Sequence, residues 1–177
     1  QGKRKQRMND VEGELRAQVR KLCERYDQEY WRALDRERAY PEAFVRELTE
    51  AGYLSSLIPE AYGGAGLGMR EAAAILEEIN RSGATGAACH AQMYTMGTLL
   101  RHGSDAQKER WLPGIASGTL RLQAFAVTEP DAGSDTTRIA TFAVRTGDRY
   151  VVRGQKIFIS RVQHSDLMIL LARTTPA

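Results

Sequence analysis

Residues 122–135 contain the residue types that most favour ligand chemistry. An apolar run, 122–127, is typical of a buried strand and passes directly into a polar segment that contains Pro130 and Gly133. Proline fixes φ and lacks an N–H, whereas glycine tolerates positive φ, so the chain is expected to turn sharply here. A strand that ends in such a turn can leave backbone N–H groups directed at open space, which suits an anionic or carbonyl-rich ligand. The alternative is a strand followed by an ordinary turn.

A second candidate segment, residues 156–160, follows the turn at Gly154 and is predicted to be a strand. Phe158 offers a flat apolar face for stacking, and Ser160 offers a hydroxyl. The alternative for Phe158 is an ordinary core residue. Glu129 and Asp131 resemble an acid–base pair, but carboxylates this close together in a turn are more typical of loop structure.

The first 120 residues carry helical periodicity. Apolar residues recur every three to four positions over 10–38, which predicts one long helix with a single buried stripe. Further helices are predicted after Pro41, over 69–82, over 84–100, and after Ser104, which has capping-box spacing to Gln107. The glycine-rich segment 57–68 is predicted to be a flexible loop between helices.

After residue 120 the period changes to that of strands. Short runs rich in Val, Ile, Phe and Tyr cover 141–145, 149–153, 156–160 and 167–173, and the first three are separated by turn residues. Together with the strand before Thr128 they predict an antiparallel meander. Residues 167–171 do not alternate, which predicts a strand covered on both faces.

Composition narrows the possible functions. With 42% hydrophobic and 27% charged residues the sequence is typical of a soluble globular protein, and no apolar run is long enough to span a bilayer. Cys23 and Cys89 have no paired spacing, so we expect free, buried thiols in a cytoplasmic protein and no metal site. The net charge of +3 is mild, and no basic face beyond the first residues favours nucleic-acid binding.

Three segments resemble one enzyme family. Residues 126–135, Ala-Val-Thr-Glu-Pro-Asp-Ala-Gly-Ser-Asp, resemble the middle-domain signature of acyl-CoA dehydrogenases, which are FAD enzymes. Residues 59–66 resemble a loop of that family's N-terminal domain. Residues 154–160 resemble its Gly-x-Lys-x-Trp-Ile-Thr strand, with Phe158 and Ser160 in place of the tryptophan and the threonine, and Arg161 replaces the asparagine that usually follows.

The resemblance implies an α+β fold. Residues 1–120 would form the family's all-α N-terminal helical domain. Residues 121–177 would form the first part of its middle β-barrel domain, a partial antiparallel β-domain.

The resemblance also implies a reaction and a site. The α-proton of an acyl-CoA thioester would be removed, the β-hydride would go to N5 of FAD, and the electrons would pass to an electron-transfer flavoprotein. The amides of Val127 and Thr128 and the Thr128 hydroxyl would contact the flavin, and Ser134 would also contact the acyl-CoA. The implied cofactor-binding residues are Phe125, Ala126, Val127, Thr128, Gly133, Ser134, Phe158, Ile159 and Ser160.

No catalytic residue is assigned, because nothing in the sequence matches the family's catalytic glutamate, which belongs largely to its C-terminal domain. We therefore expect a truncated part of a homo-oligomeric enzyme that is inactive and binds FAD poorly by itself. Two other functions remain open. One is an acyl-CoA oxidase or flavin monooxygenase on the same scaffold, and the other is a DNA-binding, damage-response member of the superfamily.

Overall fold

The computed structural model describes residues 2–175, with side chains described from residue 11 onward. The chain divides into two compact units, Gln1–Arg121 and Leu122–Ala177. In the described residues the first unit is helical and the second is built from short strands. The predicted α+β class is therefore confirmed.

The first unit packs its helices around one apolar core. The helices are α1 (Gly2–Cys23), α2 (Gln28–Glu37), α3 (Glu42–Glu50), α4 (Met69–Arg81), α5 (Ala87–His102) and α6 (Asp105–Ser117). Buried residues from α1, α3, α4 and α5 meet in this core, among them Val19, Leu22, Phe44, Leu48, Ile75, Ile79 and Met93. The predicted capping box begins α6, because the Ser104 hydroxyl accepts from the Gln107 N–H and the Gln107 side chain accepts from the Ser104 N–H.

The prediction of one helix over residues 10–38 is wrong, since α1 ends at Cys23 and α2 begins at Gln28. The Asp27 carboxylate accepts the Tyr30 N–H at 2.9 Å and so caps α2. Tyr26, in the break, packs edge-on against Tyr30 and against Phe44 of α3. The apolar period continues through the break because both helices turn their apolar faces to one core.

The glycine-rich loop is held in place by its own backbone, so the prediction of a flexible loop is also wrong. A short 3₁₀ turn, Glu60–Tyr62, lies within it, and the Gly66 N–H donates to the Ile58 carbonyl at 2.8 Å. Gly64 packs so closely on Ile58 that an added Cβ would lie 2.1 Å from that carbonyl oxygen. Such a contact requires glycine.

The second unit contains two separate two-stranded sheets in the described residues. Its strands are β1 (Leu122–Ala126), β2 (Phe142–Thr146), β3 (Arg149–Arg153) and β4 (Leu167–Leu170). Strands β2 and β3 form an antiparallel hairpin in which Thr146 pairs with Arg149, and Gly147 supplies a φ of 64° in the turn. This hairpin is as predicted.

The predicted antiparallel meander is wrong beyond the hairpin. Strand β1 pairs with β4 in parallel, with Phe125 opposite Ile169. Residues 154–159 form no strand, although the Ile157 N–H donates to the Thr128 carbonyl at 2.9 Å. Because the hairpin and this irregular segment intervene, the chain returns beside β1 in its original direction.

Strand β4 is not covered on both faces as predicted. Its residues alternate between half-buried and exposed, and Met168 and Leu170 lie on the exposed side. The uninterrupted apolar run 167–171 predicts burial of both faces, whereas the described residues cover only one face of β4.

We predict that Gly64→Ala lowers the free energy of unfolding by roughly 1–3 kcal/mol, because the new methyl group overlaps the Ile58 carbonyl. Urea unfolding followed by circular dichroism measures the change. The matched control is Gly13→Ala in α1, where an added Cβ meets nothing within 4 Å. That variant should gain roughly 0.5–1 kcal/mol from reduced backbone entropy. Equal stability of the two variants would contradict a rigid loop.

Candidate functional site

The turn after β1 is closed by its own backbone. The Glu129 N–H donates to the Ala132 carbonyl at 2.8 Å, and the Ala132 N–H donates to the Glu129 carbonyl at 3.2 Å. Pro130 occupies the second position of this turn, which its fixed φ suits. The chain therefore leaves β1 and reverses within four residues.

Glu129 anchors this turn through a buried carboxylate. Its oxygens accept the backbone N–H of Ala140 at 2.6 Å, that of Thr141 at 2.9 Å, and the Lys156 ammonium at 2.8 Å. The Lys156 hydrogen bond, assisted by the two backbone donors, lowers the Glu129 pKa from its usual 4.5 to about 2. The carboxylate therefore stays charged and serves as structure rather than as an acid or base.

Lys156 connects the turn to the segment that follows β3. Its ammonium donates to the Val127 carbonyl at 2.8 Å as well as to Glu129. The next residue, Ile157, donates its N–H to the Thr128 carbonyl at 2.9 Å. Residues 156–157 therefore run alongside 127–129 and bring Phe158 close to Thr128.

Gly154 allows this segment to approach. An added Cβ would lie 2.7 Å from the Thr141 Cα and 2.2 Å from its hydroxyl oxygen. Neither contact is possible for a larger residue without moving backbone. A glycine two residues before Lys156 is thus required by packing.

Phe158 is strained and exposed at once. Its φ is 57°, in the left-handed region that bulky residues rarely adopt, and 88% of the residue is accessible to solvent. The hydrogen bonds of Lys156 and Ile157 hold the backbone that precedes this outlier, and packing gives no reason for it.

Unused hydrogen-bond donors lie on the segment that residues 156–157 contact. Among residues 2–175, the amides of Val127 and Thr128 and the Thr128 hydroxyl donate no hydrogen bond. Both residues are half-buried at the end of β1. Free donors next to an exposed aromatic ring match a flat heteroaromatic ligand with acceptor atoms along its edge.

Comparison with known proteins decides the family. The family model for the acyl-CoA dehydrogenase N-terminal domain matches residues 9–119, and the model for the acyl-CoA dehydrogenase middle domain matches residues 124–177. The chain belongs to the acyl-CoA dehydrogenase family. The break between the two matches falls where the structure divides into two units.

Individual members of the family are similar over most of this chain. Acyl-CoA dehydrogenase FadE12 of Mycobacterium tuberculosis is 37% identical over 164 residues, which is 92% of this chain and 42% of that protein. The crystal structure of an acyl-CoA dehydrogenase from Geobacillus kaustophilus matches with a TM-score of 0.83 at 31% identity, over 94% of this chain and 44% of that one. A glutaryl-coenzyme A dehydrogenase in complex with glutaryl-CoA matches with a TM-score of 0.84 at 31% identity, over 93% and 43%. The chain thus spans about two fifths of the length of these relatives.

The acyl-CoA dehydrogenase signature residues fall into two groups in the structure. Val127, Thr128 and Phe158 are brought together by the hydrogen bonds of residues 156–157. Phe125 and Ala126 lie on β1, opposite Ile169 and Leu170.

The remaining predicted site residues lie outside these two groups, and most of them are exposed. Gly133 and Ser134 lie exposed just beyond the turn, and Ser134 makes no hydrogen bond to the described residues. Ile159 is half-buried and Ser160 exposed, immediately after Phe158. The structure thus brings Val127, Thr128 and Phe158 together, and the roles predicted for them toward flavin and for Ser134 toward acyl-CoA stay predictions.

Sequence reasoning missed the two residues that hold the site together. The sequence predicts that Glu129 is loop structure, which its backbone contacts confirm, but it places Lys156 only in the family resemblance and does not pair the two residues. Their pairing across 27 residues of sequence is visible only in the fold. The available signal was that Lys156 is a charged residue at the start of an otherwise apolar run, which predicts a partner for its charge.

In the described residues, no group of three or more His, Cys, Asp or Glu side chains is arranged to hold a metal ion. No helix in that part of the chain is long and apolar enough to cross a membrane.

We predict that Glu129 contributes stability that is complete above its usual pKa of 4.5 and is lost as pH falls toward about 2. The sign follows from the lowered pKa, since the unfolded chain binds the proton more readily than the folded one. The difference in free energy of unfolding between wild type and Glu129→Gln should therefore be constant above pH 5 and shrink below pH 4.5. Urea titrations between pH 3 and 7 measure it.

The control for this pH experiment is Asp131→Asn, in the same turn but exposed. Its effect on stability should stay within about 0.5 kcal/mol. A Glu129→Gln difference that does not change between pH 3 and 7 would contradict the low pKa.

Proposed function

We propose that this chain supplies a flavin-binding face of an FAD-dependent acyl-CoA dehydrogenase, which introduces a 2,3 double bond into an acyl-CoA thioester. The observation that carries the proposal is the set of free donors at Val127 and Thr128 beside the exposed Phe158 ring. The isoalloxazine ring has a flat apolar face and carbonyl and nitrogen acceptors along one edge, so it matches both features. Membership of the family and the likeness to a glutaryl-CoA dehydrogenase support the reaction.

In this proposal the residues of the chain bind and orient. Thr128 and Val127 would hold the polar edge of the ring, where their fixed dipoles would favour negative charge. Phe158, followed by Ile159 and Ser160, borders the ring, and Ser134 contacts the acyl-CoA. Bound FAD supplies the redox chemistry by accepting the β-hydride. We assign the removal of the α-proton to none of these 177 residues, so the chain by itself should not turn over substrate.

The proposal also covers the electron acceptor, the oligomeric state and the cellular compartment. Electrons would leave to an electron-transfer flavoprotein, and the enzyme would act as a homo-oligomer in the cytoplasm. Cys23 and Cys89 support a reducing compartment, because both thiols are free and buried in the structure. Burial raises the Cys89 pKa to about 12, which leaves that thiol unreactive.

The deciding experiment is an absorption spectrum of the natural full-length protein. It should show the bands of bound flavin, and anaerobic addition of an acyl-CoA panel should bleach them with formation of the 2,3-enoyl-CoA. Re-oxidation should be fast with an electron-transfer flavoprotein and slow with oxygen, whereas fast re-oxidation by oxygen would indicate an oxidase. A protein that neither carries nor takes up flavin would overturn the proposal.

We predict that Phe158→Ala raises the dissociation constant for FAD about tenfold. Loss of the stacking face removes about 1.4 kcal/mol, within the range measured for aromatic pairs. Phe158→Trp should bind FAD at least as tightly as wild type, because it enlarges that face. Flavin fluorescence during titration of the apoprotein measures all three proteins.

The matched control for Phe158 is Val151→Ala, which truncates another exposed apolar side chain of the same unit. FAD affinity should not change in this variant. If Phe158→Ala and Val151→Ala bind FAD alike, Phe158 does not border the flavin.

A further inference from the structure

We propose that Lys156 is a positioning residue that strengthens the Thr128 N–H as a hydrogen-bond donor to the flavin. Lys156 acts through the peptide group between Val127 and Thr128 rather than by touching the cofactor. The inference rests on the proposed function, since the flavin edge is the acceptor it assumes.

The polarisation acts within one peptide group, the one between Val127 and Thr128. The Lys156 ammonium lies 2.8 Å from the Val127 carbonyl oxygen, and that carbonyl belongs to the same peptide group as the Thr128 N–H. A cation on the oxygen draws electron density from the nitrogen, so the N–H becomes a stronger donor. Linked hydrogen bonds polarise one another in this way by about 10–30% per bond. The bond at Val127 is also charge-assisted, and such bonds are the stronger class.

Burial keeps the charge effective and in place. The Lys156 side chain is only 9% exposed, so little water screens its field. The neighbouring bond from Ile157 N–H to the Thr128 carbonyl fixes the backbone beside it. The ammonium therefore acts from one defined position on one defined peptide group.

Glu129 is the charged partner of Lys156 in this site. The Glu129 carboxylate, 2.8 Å away, compensates the charge, and two backbone N–H groups hold the carboxylate in turn. The Glu129 carboxylate accepts from Lys156 and carries the opposite charge, so the two charges have opposite effects on the Thr128 N–H.

The simpler role for Lys156 is a mechanical clamp that ties the turn to residues 156–157. The two roles predict different directions of change in the FAD potential for two variants, Lys156→Gln and Glu129→Gln. A clamp is weakened by both Lys156→Gln and Glu129→Gln, since each removes the ion pair between the two residues, so both variants would disturb the flavin in the same direction. Polarisation is lost only in Lys156→Gln, because Glu129→Gln leaves the ammonium on the Val127 carbonyl.

The experiment measures the midpoint potential of FAD in the natural full-length holoenzyme. For Lys156→Gln, the affinity for reduced relative to oxidised FAD should fall about tenfold, which lowers the two-electron potential by about 30 mV. For Glu129→Gln, the potential should stay the same or rise. Lys156→Arg, which keeps the charge, should restore much of the loss.

The inference is wrong if both glutamine variants lower the potential or if neither changes it. Thermal unfolding of each variant controls for folding. If Lys156→Gln does not fold, Glu129→Gln alone decides, because a clamp requires it to lower the potential.

A second readout needs no cofactor. In the apoprotein, the Thr128 amide signal in a ¹⁵N–¹H spectrum should shift in Lys156→Gln, while that of Val144 on β2 should not. A Thr128 shift in a protein that binds no flavin would overturn the proposed function but not the polarised donor. Flavin binding with an unmoved Thr128 signal and an unmoved potential would overturn only the inference.

Discussion

The buried ion pair between Glu129 and Lys156 is the constraint on which the candidate site depends. It joins three segments that are distant in sequence, namely the turn after β1, residues 140–141 and the segment after β3. A buried pair is costly to desolvate and stabilises only when its remaining hydrogen bonds are made. Here the carboxylate accepts two backbone N–H groups and the ammonium donates to a backbone carbonyl, so the pair specifies one backbone path.

That path explains the neighbouring irregularities. Gly154 is required because the segment passes Thr141 at contact distance, and Phe158 is held at positive φ by the bonds that precede it. The strain at Phe158 persists because its surroundings over-determine it. Loops positioned by strands commonly carry binding residues, and the candidate site lies on such a loop.

Caps and turns formed by residues a few positions apart were predictable from the sequence, whereas pairing between distant segments was not. The Ser104 capping box and the Gly147 hairpin turn depend on residues a few positions apart, so pattern alone located them. The helix break at Asp27 escaped detection because α1 and α2 share an apolar face across it. The parallel pairing of β1 with β4 escaped because nothing within either strand records its partner.

The candidate site was likewise predictable only in part from the sequence. The family signature located Thr128 and Phe158, and the structure brings them together. It did not reveal that a lysine at 156 and a glutamate at 129 create that proximity, because their pairing spans 27 residues. The left-handed backbone of Phe158 was equally hidden, since phenylalanine in an apolar run favours an ordinary strand.

The β2–β3 hairpin also shows how the chain limits self-association. Strand β3 presents three consecutive exposed apolar residues, Tyr150, Val151 and Val152, and its outer edge has no strand partner among the described residues. Such an edge is a template for a second copy. Arg149 and Arg153 bracket the apolar run symmetrically, so an in-register copy would set arginine against arginine in either direction. The like charges oppose the aggregation that the apolar edge would otherwise promote.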